Sequence, residues 1–118
     1  MITKVLNSFW YALKGLRIVF EEERNFKIEV FAGIILSIII VYYRFTYIES
    51  ALCVISMSGI LMAEIINTAI EDLCNKVQPQ FDPVIAKIKD VSGSFVMVSV
   101  FGSIIVGIIV FYHHSLPF

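Results

Sequence analysis

The chain carries, at residues 51–74, the stretch ALCVISMSGILMAEIINTAIEDLC. Its first two thirds are apolar, and about 20 apolar residues are enough for a helix to cross the hydrocarbon core of a bilayer. Its last third contains acids and an amide, which are costly inside a membrane unless they have partners. The stretch therefore predicts a membrane-spanning helix with one polar end.

Two more apolar stretches, at residues 28–48 and 91–112, predict a first and a third span around this second one. The 28–48 stretch is marginal in length and needs Tyr42, Tyr43 and Tyr47 as an aromatic belt at the far interface. The chain is 58% hydrophobic over 118 residues, which is more apolar surface than a soluble domain of this size could bury. The composition therefore favours a single-domain, all-α membrane protein with three transmembrane helices.

The segments outside the spans have patterns of their own. Residues 1–21 alternate apolar and polar faces at helical spacing, which predicts an amphipathic helix lying on the membrane surface, with Trp10 and Tyr11 at headgroup level. Residues 75–89 form a predicted polar loop and helix start, in which Asp82 caps a helix that begins at Pro83.

Basic residues are distributed unevenly about the predicted spans. Five precede the first span, three lie between the second and third, and only Arg44 lies on the opposite side. The positive-inside rule then predicts a cytoplasmic N-terminus and second loop, with the C-terminus outside. The formal net charge of −1 gives no indication of a nucleic-acid partner.

One face of the second span carries a row of polar residues. Its members are Glu64, Asn67, Glu71 and Asn75. Their spacing of i, i+3, i+7 and i+11 places them on one side of a helix. Glu64 lies roughly 10 Å inside the bilayer at helical rise, and an intramembrane acid indicates a functional site. The alternative is a structural hydrogen-bonding cluster that holds the helices together.

Further polar residues fall at the same membrane level. Glu23 and Glu29 flank the first span, and Lys89-Asp90 precedes the third. If the helices bundle, their carboxylates converge with the row on the second span and form a set of oxygen ligands suited to Mg²⁺. Lys89 and Arg17 could neutralise phosphate charge, and Glu21 and Glu22 are predicted to be solvated.

Other features are predicted to be structural. Cys53 and Cys74 lie too far apart on one helix to form a disulfide. Small residues at four-residue spacing, such as Ser99, Ser103 and Gly107, favour close helix packing. The adjacent residues His113 and His114 are expected to point to different sides of the chain, so no metal site is predicted there.

These motifs, taken together, resemble the prokaryotic diacylglycerol kinase and undecaprenol kinase family of small membrane lipid kinases. The resemblance covers nearly the whole chain in the family's order and spacing. The matching motifs are Lys14-Gly15-Leu16-Arg17, Glu23 with Asn25-Phe26-Lys27, Glu64-Ile65-Ile66-Asn67-Thr68-Ala69-Ile70-Glu71, and Ala86-Lys87-Ile88-Lys89-Asp90.

The resemblance implies an enzyme of the bacterial cytoplasmic (inner) membrane that phosphorylates a lipid alcohol with ATP and Mg²⁺. It implies a homotrimeric bundle with sites between neighbouring subunits. Glu64 matches the catalytic base, Glu23 and Glu71 match metal ligands, and Glu29, Glu64 and Asn67 are expected to contact the lipid substrate. The residues expected to bind ATP are Lys4, Tyr11, Arg17, Glu23, Asn67, Glu71, Lys89 and Asp90.

The sequence departs from the family in two places. Asn75 replaces the usual aspartate, which puts in doubt a salt bridge from this position to Lys89, and residues 80–82 replace a more usual Glu-Tyr-His. The lipid stays open between diacylglycerol, which would give phosphatidic acid, and undecaprenol.

Two functions of other classes are alternatives. The first is a small proton-coupled transporter that uses Glu64 as a relay, and the second is a purely structural assembly factor. A transporter needs a polar path across the whole bilayer, whereas every acid except Glu49 falls in the cytoplasmic half or at its interface. A structural role leaves the convergence of acids unexplained, so the sequence favours the kinase.

Overall fold

The computed structural model describes residues 1–116, which are helical apart from short connections. The four helices are α1 (Ile2–Glu22), α2 (Arg24–Tyr42), α3 (Tyr47–Val77) and α4 (Pro83–Ser115). The last three are long and apolar enough to cross a membrane. The all-α architecture of one N-terminal helix followed by three apolar helices is therefore confirmed.

The helix ends differ from the stretches chosen on hydropathy. Tyr47 and Ile48, placed in the first span by the sequence, begin α3. The reason is a capping box: Thr46 Oγ1 accepts from the Glu49 backbone N–H at 3.2 Å, and Glu49 Oε1 accepts from the Thr46 N–H at 2.8 Å. The turn before it needs a left-handed residue, which is Arg44 (φ 53°). Where the membrane surfaces cross these helices stays a prediction.

The start of α4 is confirmed as the sequence predicts it. Asp82 Oδ1 accepts from the N–H groups of Val84 (2.9 Å) and Ile85 (3.1 Å), and Pro83 takes the first helical position. A carboxylate satisfies two otherwise unpaired donors there, and proline has no N–H to lose. This cap fixes the point at which the chain turns back after α3.

The main packed pair is α3 with α4, and α2 lies against α3. Ala63 of α3 is completely buried, and Ser103 Oγ of α4 donates to the Ser56 carbonyl of α3 at 3.2 Å. Small side chains at these points let the two backbones approach. Most apolar side chains of α2 and α4 point outward, so these faces are left for lipid or for other copies of the chain.

At the end of α3 remote from Glu71, a buried carboxylate ties α3 to α4. Glu49, with a side chain only 3% exposed, contacts His113 Nδ1 through Oε2 at 2.9 Å and His114 Nδ1 through Oε1 at 3.1 Å. The ring of Phe45 packs on His114 with centroids 4.7 Å apart. The expectation that the two histidines point apart was wrong, because the carboxylate lies between them and offers one oxygen to each.

Replacing Glu49 by alanine should destabilise the protein by about 1–3 kcal/mol, because it removes the acceptor shared by His113, His114 and the Thr46 N–H. Denaturant titration of the micelle-bound protein measures this. Glu22→Ala, on the exposed end of α1, should change stability by less than about 0.5 kcal/mol. Equal midpoints for the two variants would show that the contacts to Glu49 contribute nothing.

Candidate active site at the polar end of the bundle

The centre of the polar end is Glu64, which is 4% exposed within α3. The carboxyl group of Glu29, on α2, lies close enough to interact with it. Glu29 Oε2 is buried and has no hydrogen-bond partner in the described part of the chain. A buried oxygen of this kind normally has a hydrogen-bond partner. Glu29 Oε2 can therefore accept a hydrogen bond from a bound ligand.

One turn further along α3, Asn67 joins two helices. Its Nδ2 donates to Glu71 Oε1 at 3.4 Å, and its Oδ1 accepts from Ser92 Oγ of α4 at 2.7 Å. The contact to Glu71 agrees with the face predicted from the sequence. Ser92, which is 6% exposed, was not among the predicted site residues. The only indication in the sequence was its position two residues after Asp90. That position does not show whether the side chain faces α3.

Glu23 sits between α1 and α2 in an extended conformation (φ −104°, ψ 113°). The pKa of its carboxyl group is raised above the ordinary value, first by partial burial and then by the negative charges of Glu71 and Glu64. The break between the two helices therefore places Glu23 close enough to Glu64 and Glu71 of α3 for their negative charges to interact. A cation between them would relieve their repulsion.

Lys89 of α4 is half-buried, and its Nζ donates to Asn75 Oδ1 of α3. Residue 75 therefore still contacts Lys89, although Asn75 replaces the usual aspartate. The contact is a hydrogen bond to an amide instead of a salt bridge. It holds an ammonium group at the same end of the bundle as Glu71. Asp90, the next residue, is exposed.

The predicted residues of α1 are spread along its surface. Arg17 pairs with Glu21 at 2.9 Å, with side chains 79% and 59% exposed. Such a solvent-exposed pair is weak, so the guanidinium is readily available to a phosphate. At a rise of about 1.5 Å per residue, Tyr11 lies about 18 Å and Lys4 about 28 Å along the helix from Glu23. Within one chain these two residues do not join the carboxylate cluster.

The acids present fit a magnesium ion that is also held by a nucleotide. No group of three or more His, Cys, Asp or Glu side chains is arranged to hold a metal within residues 1–116. Mg²⁺ does not require such a cage, since it usually takes one or two carboxylates together with phosphate oxygens and water. Glu23 and Glu71 come from separate elements, and the charge of Glu71 acts on Glu23, so the two residues could provide the carboxylates of such a set.

Comparison with known proteins identifies the family of the chain. The family model described as prokaryotic diacylglycerol kinase matches residues 10–111. The diacylglycerol kinase of Escherichia coli (strain K12) is 23% identical over 112 residues, covering 95% of this chain and 92% of that protein. The diacylglycerol kinase of Haemophilus influenzae is 28% identical over 108 residues, with 92% and 89% covered.

A third diacylglycerol kinase, from Synechocystis, is 29% identical over 104 residues, covering 87% of this chain and 59% of that longer protein. The family match spans α2 and α3, most of α1 and nearly all of α4, so it includes every acid of the polar end. The chain belongs to the prokaryotic diacylglycerol kinase family.

Proposed function

We propose that the chain is a lipid kinase that transfers the terminal phosphate of MgATP to the hydroxyl group of a membrane lipid. The observation that carries this proposal is the convergence of the buried Glu64 with Asn67, Glu71 and Glu23 at one end of an apolar bundle. The family membership and the names of the relatives support it.

The proposed roles follow from position and chemistry. Phosphoryl transfer depends mainly on in-line positioning and on neutralising charge. Glu23 and Glu71 would hold the magnesium ion, which when bound offsets the charge of the phosphates. Glu64 would accept the proton of the lipid hydroxyl, with Glu29 and Asn67 contacting the lipid headgroup. Lys89 would meet the phosphates. The side chains proposed to contact the nucleotide are Lys4, Tyr11, Arg17, Glu23, Asn67, Glu71, Lys89 and Asp90.

A homotrimer would complete this site. Two facts support it: the outward apolar faces of α2 and α4, and the distance of Tyr11 and Lys4 from the carboxylates of their own chain. A neighbouring copy could place its own α1 over the cluster. We further propose a multi-pass protein of the bacterial inner membrane, with the N-terminus cytoplasmic and the C-terminus outside, since the basic residues lie on the side of the cluster.

For the lipid we favour diacylglycerol, which would give phosphatidic acid, because the three relatives above are named diacylglycerol kinases. The test offers diacylglycerol and undecaprenol side by side to the purified protein with ATP labelled in the terminal phosphate. Faster labelling of diacylglycerol supports the proposal. Faster labelling of undecaprenol would show that undecaprenol is the preferred substrate.

Asn75→Asp should give a folded, active protein whose affinity for ATP changes by less than about tenfold, or ~1.4 kcal/mol. The reason is that Lys89 already bonds Asn75 Oδ1, so an aspartate adds charge to an existing contact. The effect should shrink as salt is added. A thousandfold loss of activity, or dissociation of the oligomer, would show that Asn75 has another role.

A further inference from the structure

We propose that Ser92 is a positioning residue that aims the Glu71 carboxylate at the metal ion by acting through Asn67; this rests on the proposed function, in which Glu71 is a metal ligand. The three side chains form a line from α4 to α3. Ser92 Oγ lies 2.7 Å from Asn67 Oδ1, and Asn67 Nδ2 lies 3.4 Å from Glu71 Oε1.

The chemistry of the three groups fixes the direction of this line. An ionised carboxylate can only accept hydrogen bonds, so Asn67 must turn its NH₂ group toward Glu71. Its carbonyl oxygen then faces α4 and needs a donor. Ser92 is the group placed to donate, and its hydroxyl hydrogen is thereby committed to Asn67. Each member of the line thus determines the orientation of the next.

Because Ser92 is buried, a water molecule could not easily take the place of its hydroxyl group as the donor to Asn67. Ser92 is 6% exposed, and Asn67 is half-buried between the helices. Without the hydroxyl, the Asn67 carbonyl would lose its donor, and the amide could rotate away from Glu71. Partners that orient a metal ligand typically change metal affinity by about 10- to 100-fold when removed.

Two other serines of α4 donate to backbone carbonyls of their own helix instead of making such a contact with α3. Ser94 Oγ donates to the Val91 carbonyl at 2.6 Å, and Ser99 Oγ donates to the Phe95 carbonyl at 3.0 Å, both within α4. Ser92 instead reaches a side chain on α3. Ser94, exposed and two residues away, is therefore the matched control for a lost hydroxyl.

The test measures binding of Mn²⁺, used as a spin probe for the magnesium site, to the full-length protein in micelles with a non-hydrolysable ATP analogue. Ser92→Ala should weaken Mn²⁺ binding about tenfold, whereas Ser92→Thr, which keeps the hydroxyl, should restore most of the affinity and Ser94→Ala should leave it unchanged. In an Asn67→Ala background, Ser92→Ala should have no further effect, because the line is already broken.

The outcomes separate this proposal from the function on which it rests. Weaker binding in Glu71→Gln with unchanged binding in Ser92→Ala would overturn the positioning role and leave the metal assignment standing. Unchanged binding in Glu71→Gln would overturn the metal assignment. A full tenfold effect of Ser92→Ala in the Asn67→Ala background would also overturn the proposal, because Ser92 would then act by another route.

Discussion

Glu64→Gln should lower lipid phosphorylation by about a thousandfold, within the 10²- to 10⁴-fold range of a lost general base, and leave a folded protein. Glutamine has nearly the same shape as glutamate, but it cannot take up the proton of the lipid hydroxyl. Glu64 is 4% exposed, so a base from the solvent cannot easily replace it. A thousandfold loss corresponds to about 4 kcal/mol in the activation barrier.

The measurement is initial turnover with saturating MgATP, with circular dichroism and gel filtration as the checks on folding and assembly. Glu22→Gln, an exposed glutamate on α1, is the matched control and should retain full activity. If Glu64→Gln turned over within tenfold of the wild type, Glu64 would not be the base.

Glu71→Gln should raise the Mg²⁺ concentration needed for half-maximal activity by about tenfold or more, because it removes one of two proposed carboxylate ligands. Glu23→Gln should also raise the Mg²⁺ requirement, since Glu23 lies close enough to Glu71 for their charges to interact. Added Mg²⁺ should restore part of the activity in both variants, which a loss of the base at Glu64 would not allow.

A magnesium titration at fixed ATP distinguishes these cases. Asp72→Asn changes the acid next to Glu71 in the chain, which is exposed, and should shift the magnesium requirement by less than about twofold. An unchanged half-saturation in both Glu71→Gln and Glu23→Gln would show that the metal is held by other groups.

The helices and the acidic face of α3 could be predicted because they depend on local pattern. Apolar length gives the spans, the i, i+3, i+7 spacing puts Glu64, Asn67 and Glu71 together, and Asp82-Pro83 marks the start of α4. Thr46 and Glu49 also form a local signal, Thr-x-x-Glu, which hydropathy alone overlooked. The start of α3 was therefore predictable from the chain.

Contacts between helices could not be predicted in the same way. α4 is apolar on most of its circumference, so its sequence does not show which side meets α3. Whether Ser92 or Ser94 reaches Asn67 depends on the rotation of α4, as does the meeting of His113 and His114 with Glu49. A rotation of a few tens of degrees would already turn these side chains away from their partners, and hydrophobic periodicity does not resolve such a difference.

Following the terminal phosphate of ATP shows whether the protein is a lipid kinase. Purified protein in mixed micelles receives ATP labelled at that phosphate, magnesium and diacylglycerol, and the lipid fraction is extracted and counted. We expect label in phosphatidic acid with the wild type, and a loss of at least a hundredfold with Glu64→Gln or when the magnesium is chelated. Label that stays entirely in the aqueous phase with diacylglycerol, and also with undecaprenol, would contradict the assignment as a lipid kinase.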